Sequence, residues 1–97
     1  MVKLKDLEPR YFGLDDTGRT VGLTFLCPHC LKERLGVFFH ERGQEAVQDS
    51  YIKAHSPGTN HIWTKTGMSF DNLTLEPSID ASATGHWHGF ILNGEIK

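Results

Sequence analysis

The residues able to do chemistry in this chain are few and grouped. Its two cysteines stand in CPHC, Cys27 to Cys30, and two of its six histidines stand in HWH, at His86 and His88. A Cys-x-x-Cys pair serves either as a redox dithiol or as half of a metal site. The redox form needs the dithiol to open a helix, whose dipole holds the thiolate, within a βαβ setting. Only LKERL separates Cys30 from Gly36 and the strand-like VFF, about a turn and a half of helix. The metal reading fits better. On a β-strand His86 and His88 share one face while Trp87 takes the other. A Cys-x-x-Cys turn after a strand brings two thiolates to one ion. Cys27, Cys30, His86 and His88 therefore compose a Cys2His2 set suited to zinc. Between Cys30 and His86 lie 55 residues, too many for a zinc finger, so the site would join distant parts of the chain.

A four-ligand zinc is closed and holds no water, so hydrolysis would fall to neighbouring side chains. Ser78 and Asp80 precede His86 through the small-residue loop ASATG. Ser78 as a nucleophile needs a base within hydrogen-bond reach, and a zinc-bound histidine cannot be that base. The plainer role for Ser78 is a strand-end or turn serine. If one histidine stands back, a Cys2His zinc keeps an open position, and Glu76 or Asp80 is the candidate carboxylate base. The chain has no HExxH, and it lacks the His-x-Glu that zinc deaminases pair with Pro-Cys-x-x-Cys. A JAMM-type set would place His-x-His before Ser-x-x-Asp. Here Ser78 and Asp80 come first. His29, His40, His55 and His61 have no partner in the pattern and read as ordinary surface or core residues, with His29 placed to tune the thiols between which it lies.

The elements that must position these groups are mostly strands. Arg19–Leu26 alternates, with Val21, Leu23 and Phe25 on one side, and the DDTG turn at Asp15–Gly18 would pair it with RYFGL as a hairpin. Arg34–His40, His61–Gly67, Phe70–Ile79 (broken at Pro77) and His86–Leu92 read as further strands. Asn93-Gly94 reads as a tight turn before a short end strand. One helix is expected over Gly43–His55, with Val47, Tyr51 and Ala54 forming its packed stripe and Pro57-Gly58 ending it. The expectation is a mainly β fold: one small zinc-stabilised antiparallel sheet domain with one short helix, spanning residues 1–97.

Composition narrows the class. At 97 residues, 38% hydrophobic and 23% charged, the chain should fold as one domain with a modest core that a metal would help to staple. A net charge of −2 gives no electrostatic reason to expect nucleic-acid binding. No apolar run reaches membrane-spanning length, and the alternating charges of MVKLKDLEPRYF do not form a signal peptide. A cytoplasmic setting follows as an expectation, in which the cysteines stay reduced and the NLT sequon at Asn72 carries no meaning.

CPHC, LTLEPSI (Leu73–Ile79) and GHWHGFILNGEI (Gly85–Ile96) together resemble a family of small bacterial and phage proteins. One branch, BubE, is encoded in bacterial ubiquitin-like conjugation operons and is regarded as a zinc peptidase. The resemblance runs roughly from Leu4 to the C-terminus and is strongest to short phage-type members. It implies Cys27, Cys30, His86 and His88 as metal positions, and it aligns Ser78 with the serine of a Pro-Ser-Ile block. The chain departs from the operon branch at His86, where cysteine is commoner, and in a knuckle poorer in Cys and Gly. An ammonia monooxygenase label attached to some phage members has no support here, since such copper oxygenases are membrane proteins. Two functions follow as expectations. One is a zinc-dependent hydrolase or peptidase acting on a ubiquitin-like or other extended peptide tail, which would add to a sheet edge. The other is a non-catalytic zinc-binding β module of phage origin that binds a host or phage protein through aromatics such as Tyr51, Trp63, Trp87 and Phe90.

Overall fold

The computed structural model describes residues Val2–Lys97. Seven strands form one sheet in chain order: β1 (Arg10–Leu14), β2 (Thr20–Leu26), β3 (Arg34–Glu41), β4 (Trp63–Thr66), β5 (Thr74–Asp80), β6 (His88–Leu92) and β7 (Glu95–Ile96). The fold is mainly β with one helix, α1 (Glu45–His55). Alternation drives the burial. Val21, Leu23 and Phe25 of β2 turn inward with Val37 and Phe39 of β3, Leu75 and Ile79 of β5 and Ile91 of β6. Leu4 and Leu7, from a short 3-10 turn at Leu4–Leu7, join the same core, as does Leu73.

The expected antiparallel order holds at five of the six strand pairs. The sixth, β3 with β4, is parallel, with His40 opposite Thr64. A parallel pair needs a long crossover, and α1 lies in that crossover. The helix does not bury the stripe the sequence suggests. Val47 is 42% exposed and Ala54 is exposed, while Gln48 and Ile52, four residues apart, are buried. Polar bonding explains the rotation. Gln48 accepts at Oε1 from the Glu41 backbone N–H (2.7 Å) and donates from Nε2 to the Thr20 carbonyl (3.5 Å), tying the helix to β3 and β2.

Turn chemistry sets the hairpins. Between β1 and β2 the buried Asp15 carboxylate accepts from the Thr17 N–H (2.7 Å), the Thr17 hydroxyl (2.6 Å) and the Arg19 N–H (3.1 Å). These bonds hold its carboxyl below the usual range against the opposing effect of burial, the largest single influence. Between β6 and β7, Asn93 and Gly94 both take positive φ (50° and 76°), the requirement of a type I′ turn. Pro77 does not break its strand as the sequence suggests. β5 continues through it, with a cis Glu76–Pro77 bond, and absorbs the irregularity in its register with β6 between Leu75 and Ile79.

Candidate metal centre

The CPHC segment leaves the end of β2. Cys27 follows Phe25 and Leu26 and is fully buried, while Cys30 is half-buried. The loop folds back on itself. The Cys27 N–H donates to the Glu33 carbonyl (2.8 Å), and the Leu31 N–H donates to the Cys27 carbonyl (2.8 Å), with Leu31 in a left-handed conformation at φ 58°. No helix follows Cys30, because β3 begins at Arg34. The setting that a thioredoxin-type dithiol needs is missing. Instead the backbone N–H groups of Glu33 and Lys32 point at the Cys30 sulfur. They lower its thiol to about 7 from 9.0, aided by Cys27 and His86 and opposed by burial. A loop that turns backbone donors onto a sulfur is prepared for a thiolate, the form that binds metal.

The third donor comes from the other end of the chain. His86 lies in the β5–β6 connection, where the Ala81 carbonyl accepts from the His86 N–H (3.0 Å) and the Trp87 carbonyl accepts from the Ala81 N–H (2.9 Å). Trp87 packs edge-on against Phe25, with ring centroids 6.0 Å apart. Its indole lies so close over Gly89 that a Cβ there would sit 2.7 Å from it. The Trp87–Phe25 contact carries the connection to the end of β2, and His86 with it.

Cys27, Cys30 and His86 thus offer three ligand atoms within 4.8 Å of one another. Cys30 Sγ and His86 Nδ1 are 3.8 Å apart. Zinc bond lengths and a tetrahedral angle require about 3.6 Å between such a sulfur and nitrogen. The group can hold a metal ion.

The other sequence-derived candidates sit elsewhere. His88 opens β6 opposite Asp80, in an exposed position, and does not belong to the three-donor group. The two-residue alternation that would have put it beside His86 begins only at His88. Asp80 accepts from the Ser82 hydroxyl (2.6 Å) and N–H (2.9 Å), closing the turn that follows β5. The Ser82 hydroxyl, then its N–H, and the nearby His88 hold the Asp80 carboxyl below its usual range, against slight burial. Ser78 contributes its carbonyl, which accepts from Trp63 Nε1–H (3.2 Å). Among the described residues its hydroxyl bonds no histidine: His55 bonds the Tyr51 carbonyl and His61 packs on Trp63. Glu76 is exposed on β5, and His29 is exposed between the thiols. The residues that sequence reasoning passed over are Trp87 as the positioning group and the Lys32 and Glu33 N–H groups as sulfur donors. The glycine two places after Trp87 was the available signal for the first.

No protein-family model, curated protein or solved structure matches this chain. Among the described residues no helix is long and apolar enough to cross a membrane.

Proposed function

We propose that this protein is a zinc-binding β domain, in which Cys27, Cys30 and His86 hold the ion and the ion fastens the β2–β3 turn to the β5–β6 connection. The observation that carries the reading is the 3.8 Å approach of Cys30 Sγ to His86 Nδ1 across 56 positions of sequence. Two sulfurs and an imidazole favour zinc over the hard cations, which take oxygen. On this reading the domain is a rigid platform that binds a protein partner.

A second reading rests on the number of donors. Three gathered protein ligands, without His88, match the protein share of a catalytic zinc site. Zinc in that state supplies Lewis acidity and an activated water, and the protein would act as a hydrolase or peptidase on an extended tail, ubiquitin-like tails included. Among the described residues the Ser78 hydroxyl has no histidine bonded to it to serve as base, and Asp80 caps a turn through Ser82. Glu76, the other carboxylate of the sequence reading, stands opposite Thr64 on the sheet and not among the metal donors, so on this reading the base is the hydroxide itself or a group of the substrate.

Cobalt substitution separates the readings. Both require one equivalent of metal and thiolate-to-cobalt absorption. A closed clamp leaves the visible d–d bands unchanged on addition of azide. An exchangeable position shifts them, and is to be matched by metal-dependent cleavage of a tail peptide that is lost in His86→Ala. Failure to bind one equivalent of zinc or cobalt refutes both.

A further inference from the structure

A second constellation lies apart from the metal donors, where α1 crosses the outer face of the sheet. Trp63 and Lys65 of β4 turn inward. Trp63 packs on the core, and Lys65 is buried above the rings of Phe39 and Tyr11. Thr64 between them therefore faces outward. Its partner in the parallel ladder is His40, and its antiparallel partner on β5 is Glu76, so His40, Thr64 and Glu76 form one row across three strands. From α1, Asp49 reaches down to this row. His40 Nδ1 lies 2.7 Å from Asp49 Oδ1, and His40 Nε2 lies 3.1 Å from Thr64 Oγ1. The His40 and Asp49 side chains remain 17% and 30% exposed.

The carboxylate fixes the tautomer. Asp49 can only accept, so Nδ1 carries the proton it donates. In the neutral ring Nε2 then holds a lone pair, and Thr64 donates its hydroxyl proton to it. A hydroxyl donating to an imidazole that is oriented by a carboxylate is the arrangement of an activated oxygen nucleophile. The chain of three polar groups is partly open to solvent at His40 and Asp49.

We propose that Thr64 is an acyl-accepting nucleophile, with His40 as its base and Asp49 as the positioning residue, acting on uncharged activated esters or thioesters. The exposed Glu76 beside Thr64 disfavours anionic donors. In the step, Thr64 Oγ bonds to the acyl carbon as the bond to the leaving oxygen or sulfur breaks. The hydroxyl proton passes to His40 Nε2 and on to the leaving group. Water then cleaves the acyl-threonine by the same route and regenerates the hydroxyl.

The probe is p-nitrophenyl acetate, read by nitrophenolate release and by peptide mapping of the acetyl group. The expected result is acetylation at Thr64. It should slow by roughly 100-fold or more in both His40→Gln and Asp49→Asn, persist in Thr64→Ser and disappear from that peptide in Thr64→Ala. Added imidazole should restore part of the rate in His40→Ala, which a purely structural role would not allow. Circular dichroism verifies the fold of each variant. Acetyl groups confined to lysines and the N-terminus overturn the proposal, as does a Thr64 rate equal in folded His40→Gln and wild type.

Discussion

At the scale of single residues, the two histidines of HWH are expected to part company. His86 lies with the two thiols and His88 does not. His86→Ala should therefore weaken zinc binding at least 100-fold, beyond the roughly 10–100-fold that losing an outer partner costs. His88→Ala should change it less than tenfold. Competition with a chromophoric chelator measures both, and equal losses would restore His88 to the ligand set. Cys30 offers an independent readout. Its thiol is lowered to about 7 by the Glu33 and Lys32 N–H groups. In metal-free protein its alkylation by iodoacetamide should climb through about pH 7, well below the ordinary thiol range, and zinc should suppress it. Deprotonation of the folded-state thiol ahead of the unfolded one also sets the sign for stability. This contribution is fully present above the unfolded thiol's pKa and is lost as pH falls through about 7.

At the scale of elements, the site depends on how the β5–β6 connection is held. Gly89→Ala should displace the indole of Trp87, which lies over that position. The displaced ring would move off Phe25 and carry His86 away from the thiols. We expect about 1–3 kcal/mol of destabilisation from overpacking, together with weaker zinc binding although no ligand has changed. Denaturant titration and the chelator competition test the two halves, and unchanged zinc affinity would separate Trp87 from the site. Gln48→Ala should cost about 1–3 kcal/mol by leaving the Glu41 N–H without its acceptor. The same elements show what could be read in advance. The alternation of β2 and the Asn93-Gly94 turn were plain, because period and turn chemistry are local. CPHC with His86 was legible from ligand type. The parallel β3–β4 pair was not, since pairing direction depends on where the helix docks. The buried face of α1 was missed because a glutamine, not an apolar residue, is its anchor. The Asp49–His40–Thr64 chain has no sequence signature, since strand register alone sets His40 opposite Thr64.

At the scale of the whole molecule, the metal donors connect parts of the sheet that are not hydrogen-bonded neighbours. β2 pairs with β1 and β3, and β6 with β5 and β7. The end of β2 nevertheless meets the β5–β6 connection through Phe25 and Trp87 and through Cys27, Cys30 and His86. The sheet must curl for this to happen, and on the proposed reading one ion across the junction would resist uncurling. A ligand that binds only the folded state at 1,000 times its dissociation constant contributes about 4 kcal/mol. In a domain of this size each kcal/mol moves Tm by about 4–8 °C. Chelation of zinc should therefore lower Tm by roughly 15–30 °C, and less at acid pH, where protons compete with the metal for its ligands. If one ion is shared, as proposed, its ligands should act as a unit. Cys27→Ser and His86→Ala should each remove most of the zinc-dependent stability, and the double variant should lose little more than either alone. Additive losses in zinc-saturated thermal melts would mean that the two residues stabilise the fold through separate contacts, and the clamp would then be the wrong description of the junction.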